Sequence, residues 1–164
     1  MIYNDLDSLR QACLSCRRCG LCEGRHNVVF GIGPEKAEVM FIGEGPGEQE
    51  DLQGEPFVGA AGQFLDEMLS IIGLSRRNCY IGNIVKCRPP KNRDPHNTEQ
   101  ENCRPWLDAQ IRIIKPKLIV CLGRIAACSI LTRIFVSPGN TVSGNTLTAH
   151  GVWQCIIPLP CSGI

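Results

Sequence analysis

The chain has 164 residues, with 17 Lys and Arg against 16 Asp and Glu, a net charge of +1. That length suits one domain with a real core, and the near-neutral balance excludes a polyanion-binding surface spread over the whole molecule, so any basic patch must be local. No apolar run approaches the roughly 18 residues of a membrane span, and the opening MIYNDLDSLR is polar and acidic, unlike a signal peptide. No membrane association and a cytoplasmic location are therefore expected. Eleven cysteines are the outlying count. Disulfide scaffolds are short and loop-rich, whereas this chain carries apolar elements of its own, so its clustered thiols point to metal.

In chain order, residues 5–22 read as a short helix running into a cysteine-rich loop. Residues 38–43, EVMFIG, form an apolar run that empties into the glycine-rich loop GEGPGEQED, the pattern of a buried strand. Residues 60–73 place Phe64, Leu65, Met68, Leu69 and Ile72 on one helical face, with Gly73 as the stop. Residues 79–85, CYIGNIV, are a second strand followed by the proline-rich loop KCRPPKNRDPHN. Residues 98–114 are a helix in which Thr98 and Glu101 resemble a capping box. Residues 117–122, KLIVCL, are a third strand, and Gly123 opens a helix through about Thr132. Strand, loop and helix repeated three times, with apolar rather than alternating strands, predict an α/β fold with a parallel sheet covered on both faces. After about Phe135 the pattern stops, and VSPGNTVSGNTLTAHG consists of turn residues with nothing to connect.

Cys13, Cys16, Cys19 and Cys22 are spaced C-x2-C-x2-C-x2-C. Two of them with two distant cysteines would close a site for zinc or an iron–sulfur cluster, and Cys87 and Cys103 are the distant candidates. Spacing separates neither metal from the other, nor which of the first four bind. Cys79, Cys121 and Cys128 lie inside apolar elements and read as core cysteines.

In an open α/β sheet the ligand crevice lies beyond the carboxyl ends of the strands. Three features converge there. The loop after the first strand allows close backbone approach at Gly43, Gly45 and Gly47, with Glu44, Glu48, Glu50 and Asp51 as acids, but it lacks the Gly-Lys-Ser/Thr of a P-loop. Phe57 is the one aromatic in GEPFVGAAGQ, either a core plug or a stacking platform for a planar ligand. Asn83, a polar amide at a strand's end, is either a structural hydrogen bonder or a reader of a base edge. Lys86, Arg88, Lys91 and Arg93 follow as a basic patch suited to phosphates.

With these residues assembled, the chain resembles the family 4 uracil-DNA glycosylases, the iron–sulfur type. The carriers, spanning roughly residues 5–134, are CLSC, VVFGIG, FIGEGPGEQED, GEPFVGAAGQFLDEML, YIGNIVKCRPPKNRDP, CRPWL and KPKLIVCLGRIAA. The resemblance implies a three-layer α/β/α uracil-DNA glycosylase-like fold with a central parallel sheet. It also implies a structural [4Fe–4S] cluster on Cys13, Cys16, Cys87 and Cys103, zinc being the alternative, which leaves Cys19 and Cys22 as extra thiols. The implied reaction is release of uracil from single- or double-stranded DNA by a monomeric protein. Phe57 would stack on the flipped base, Asn83 read its edge, and Glu44 and Gly45 line the pocket. Glu44, with Glu50 next, would position water and oppose charge on the sugar, and Asn92 would hold the flanking backbone.

The family also carries a C-terminal H-P-S/A motif whose histidine bonds uracil O2. Here the histidines are His26, His96 and His150, and none stands in that motif. Codons for a family-like YHPSALLRD, read one base late, can give IIPLPCSGI, which is residues 156–164, and the same offset relates ITREHGKW to VSPGNTVSG. The expectation is a glycosylase-like domain over residues 1–135 and an out-of-frame tail over residues 136–164. The C-terminal strand and helix would then be missing and excision impaired. A non-catalytic Fe–S nucleic-acid-binding module is the alternative.

Overall fold

The computed structural model of the chain describes residues 3–136, 145–149 and 152–158, with side chains through residue 131. Three short apolar runs form the expected parallel sheet: β1, Val39–Gly43; β2, Cys79–Asn83; and β3, Leu118–Leu122. β1 lies between the other two, parallel to both. Both faces are covered, which is why the strands read as continuous apolar runs. Met40, Ile42, Tyr80, Ile119 and Cys121 enter one core with residues of the helices α1, Leu6–Leu14; α5, Asn97–Ile114; and α6, Arg124–Val136. Phe41, Ile81 and Val120, alternating with them, enter a second core with α4, Ala60–Ile71. The short helices α2, Leu21–Gly24, and α3, Glu48–Gln53, lie in the loops before and after β1. No described helix is long and apolar enough to cross a membrane.

The tail differs from expectation. Instead of ending at β3, the sheet continues with β5, Val152–Pro158, antiparallel to β3, and β4, Asn145–Ala149, antiparallel to β5, giving the order β2-β1-β3-β5-β4. Neither strand was expected from the sequence, and both pair antiparallel with their neighbours, beyond the parallel part of the sheet. The unpaired edge of β3 is a row of backbone donors and acceptors, and the β-branched and aromatic residues Val152, Trp153, Ile156 and Ile157 suit pairing with it. Residues 137–144, His150 and residues 159–164 lie outside the described residues, as do the side chains of Cys155 and Trp153.

Three local expectations are also revised. α5 begins one residue early, and Glu99, not Glu101, reaches back to the first turn, accepting from His96 N–H at 2.7 Å. Cys79 and Cys121 are buried, whereas Cys128 is exposed, because the apolar residues of α6 are not confined to one face.

The third concerns α4, of whose five predicted face residues only Leu65 and Leu69 are buried; Phe64, Met68 and Ile72 stand 57%, 41% and 63% exposed. The helix is turned so that Gly62, Leu65 and Leu69 face inward. Gly62 causes the turn, since a β-carbon there would stand 1.7 Å from the Phe57 carbonyl oxygen, so the smallest residue must sit on the inner side. Leu69→Ala should accordingly cost about 2–5 kcal/mol of stability and Phe64→Ser within about 0.5 kcal/mol of zero, measured by urea unfolding.

Candidate functional site

β1 and β2 end side by side, with Gly43 in register with Asn83, and the crevice opens beyond them. Asn83 is 2% exposed, and its Oδ1 is the one buried side-chain polar atom without a hydrogen-bond partner among the described residues. Leaving such an acceptor unpaired costs about 1–3 kcal/mol, so it is the kind of atom a ligand satisfies. Phe57 lies against the same spot. A β-carbon added to Gly43 would fall 2.5 Å from Phe57 Cζ and 2.6 Å from Asn83 Oδ1, so only glycine lets ring and amide share that corner. With Gly45, Gly47, Glu50 and Ala61 they line a cleft of about 390 Å³, part of it open to solvent. The structure thus brings together Gly45, Glu50, Phe57 and Asn83.

Glu44 and Asn92 stand apart from that lining. Glu44, just past the end of β1, is half-buried, and its carboxyl is pushed above the usual carboxylate range by burial and by Asp94, with Arg124 opposing. Its backbone carbonyl accepts from Val85 N–H at 3.1 Å, which ties the two loops together. Glu50 is committed on one side, since its Oε1 accepts from the amides of Val58 at 2.9 Å and Gly59 at 2.8 Å. Exposed Asn92 accepts from Arg88 Nε at 2.7 Å, and Arg88 also reaches Glu48 at 3.3 Å. Asp51 is fully buried beneath His26, accepting from its Nδ1 at 2.7 Å and from its backbone amide at 3.0 Å.

The basic patch is smaller than expected. Lys86 is 1% exposed and turned inward, donating to Asn83 O at 2.9 Å and Gln110 Oε1 at 2.7 Å. Gln110 in turn donates to Phe30 O and Tyr80 Oη. A buried side chain with two acceptors explains why this lysine does not face solvent. Arg93 holds Glu99 at 2.7 Å, so the exposed part of the patch is Lys91 with the half-buried Arg88.

On the other side of the proline-rich loop, Cys13, Cys16, Cys19, Cys22, Cys87 and Cys103 line one small cavity. The expected four are all there, together with the two expected extra thiols, so the geometry does not choose among the first four. Three of the sulfurs already accept N–H donors: Cys16 from Trp106 Nε1, Cys87 from Arg25 and Cys103 from the Lys86 amide, each at 3.2 Å. Burial pushes the Cys13 and Cys103 thiols up to about 12, Lys86 opposing, and raises the Cys87 thiol, Arg25 opposing. A thiol-rich cavity with N–H donors on its sulfurs and cations beside it is a donor set that fits an iron–sulfur cluster. Among the described residues no three Cys, His, Asp or Glu side chains are grouped closely around one point.

Sequence reasoning missed Gly62, Arg76, Arg25 and Trp106. Gly62 was visible only as one small residue among several in GAAGQ, and Arg76 as one of two adjacent arginines in SRRN.

An orphaned amide acceptor and an aromatic ring facing one cleft at the strand ends are what a protein reading a planar heterocycle presents. The family model described as the uracil DNA glycosylase superfamily matches residues 30–161, and the chain belongs to that superfamily. Within it, the chain is similar to the type-4 uracil-DNA glycosylase of Archaeoglobus fulgidus, 55% identical over 122 residues, which are 74% of this chain and 61% of that protein. It is 49% identical over 132 residues to that of Sulfurisphaera tokodaii, covering 80% of this chain and 60% of the relative. With that of Thermotoga maritima it shares 51% over 111 residues, covering 68% and 58%. The chain thus spans about three fifths of the length of the curated relatives it matches.

The electrostatics of Glu44 give a direct check. Because its pKa is raised, the carboxyl stays protonated to a higher pH than the ordinary value of 4.5, and any stability tied to the neutral form is lost as pH rises through the folded pKa. In a carbon-13 NMR titration the Glu44 midpoint should lie above 4.5, fall in Asp94→Asn and rise in Arg124→Met.

Proposed function

We propose that this chain is built to hydrolyse the N-glycosidic bond of deoxyuridine flipped out of single- or double-stranded DNA, the opening step of base excision repair, in the cytoplasm and as a monomer. The observation that carries the reading is the orphaned Asn83 Oδ1 beside the Phe57 ring. The Watson–Crick edge of uracil offers an N3–H donor next to the O4 acceptor. Asn83 Oδ1 accepts the first and its amide donates to the second, while Phe57 stacks on the ring.

Glu44 is the first choice for the carboxylate that positions water, because Glu50 Oε1 already serves two backbone amides. Water oxygen bonds to the sugar C1′, the C1′–N1 bond breaks, and its electron pair leaves with uracil. The proton lost by water passes to the carboxylate, whose charge also opposes the positive charge building on the sugar. Gly45 lets the sugar approach the loop, and Asn92 with Arg88 and Lys91 faces the flanking phosphates.

Cys87 and Cys103, with two of Cys13, Cys16, Cys19 and Cys22, would hold a [4Fe–4S] cluster. Cys13 and Cys16 are the pair implied by the resemblance, and zinc is the alternative occupant. A cluster there supplies structural cross-linking of the N-terminal segment, the loop after β2 and α5, and no chemistry of the hydrolysis. Burial holds the protons on Cys13, Cys87 and Cys103 until metal binds, so assembly releases them and is favoured by rising pH.

The 164 residues contain no H-P-S/A histidine to stabilise the departing base. We therefore propose that excision by this 164-residue chain is slow, residues 136–164 being a displaced reading of family sequence. Sequencing the gene across codon 135 tests the displaced frame directly: a one- or two-base insertion or deletion that restores H-P-S supports it, and its absence refutes it. For the pocket, the purified protein should bind a uracil-containing oligonucleotide more tightly than the same oligonucleotide with cytosine, whose N3 acceptor and N4 amino donor reverse the edge that Asn83 reads. Asn83→Ala should remove most of that preference, about 1–3 kcal/mol for a lost bidentate base contact. Binding without excision would leave the non-catalytic module as the better description, and rapid uracil release would overturn the impairment.

A further inference from the structure

The turn that carries Phe57 is held in an unfavourable shape. Phe57 has φ 56°, in the left-handed region where a bulky residue is strained. A free chain would rotate this residue back and carry the ring away from Gly43 and Asn83. The turn is tied from two sides. Glu50 takes the amides of Val58 and Gly59, as above. From the other side Arg76, 24% exposed, donates from Nη1 to Pro56 O at 2.8 Å and from Nη2 to Phe57 O. The guanidinium is itself aimed by Asp66 on α4, which accepts from its Nε at 2.7 Å. The fork therefore joins α4, the segment leading into β2, and both carbonyls around the strained residue. Gly62 closes the same space from the helix side.

We infer that Arg76, aimed by Asp66, is the positioning residue that locks Phe57 in its left-handed conformation and so sets the stacking plane of the base pocket. This rests on the proposed reading of the pocket as a uracil site. The fork geometry is what the task requires. Arg76 is planar with donors at fixed angles, so it can grip two successive carbonyls at once, whereas a lysine ammonium is a point donor with no such plane. The residue touches neither base nor sugar and acts only through Phe57.

Two measurements on Arg76→Met and Arg76→Lys, each checked for an intact fold by amide dispersion, test it. The first is the proton NOE between the Phe57 ring and Gly43 Hα, read without any ligand. The second is binding of free uracil followed by NMR titration. The NOE should be strong in the parent, lost in Arg76→Met and weakened in Arg76→Lys. Uracil binding should weaken about 10-fold or more in Arg76→Met, as a small misplacement of a binding group commonly costs, with Arg76→Lys in between. An Arg76→Met protein that keeps both the NOE and the affinity overturns the inference. A parent that shows the NOE but binds no uracil instead overturns the reading of the pocket, and the NOE comparison still decides the role of Arg76.

Discussion

The pocket depends on one contact without slack: the first turn of α4 lies against the peptide of Phe57 so closely that Gly62 has no room for a β-carbon. That approach fixes which face of α4 turns inward. It leaves Leu65 and Leu69 to fill the core and puts Phe64, Met68 and Ile72 outside. It also sets the distance between the helix and the end of β1, where Gly43 yields its own side-chain space to the Phe57 ring and the Asn83 amide. Two glycines on different elements thus define the corner into which a ring can slide. The polar groups around it hold the backbone rather than the ligand: Arg76 grips carbonyls, and Glu50 grips amides.

The cysteine cavity and the pocket share the segment after β2. Asn83 ends the strand, Lys86 turns back to bond its carbonyl, the Lys86 amide donates to Cys103 Sγ, and Cys87 follows. Lys86 is buried and anchored at its far end by Gln110, so this short stretch links the sulfurs to the Asn83 backbone. A cluster assembled on these thiols would stiffen one wall of the pocket from behind. That stiffening would be the use of a cluster in a protein whose proposed chemistry transfers no electrons.

Much of this was legible in the sequence because the strands are short and apolar, so their parallel arrangement and the crevice at their ends follow from pattern alone. Phe57 and Asn83 stood out as the odd residues of their segments, and both reach the cleft. What the pattern could not give is rotation and reach. The period of α4 allowed a wide apolar face, and only the contact at Gly62 decides which part of it is buried. Lys86 read as a surface cation because nothing local reveals Gln110, which lies 24 residues later. Glu44 was one of four acids in the loop after β1 and Asn92 entered through resemblance, and neither belongs to the cleft lining. The tail read as shapeless because strand pairing at the edge of β3 is a long-range property with a weak local signal.

The claim on which the rest stands is that Asn83 Oδ1 is left unpaired in order to accept the N3–H of uracil. Comparing free uracil with 3-methyluracil by NMR titration of the Asn83 side-chain amide isolates that bond, because methylation removes the donor and leaves the ring to stack. Uracil should shift the Asn83 amide signals in a saturable way and 3-methyluracil should not. Equal binding of the two would contradict the claim.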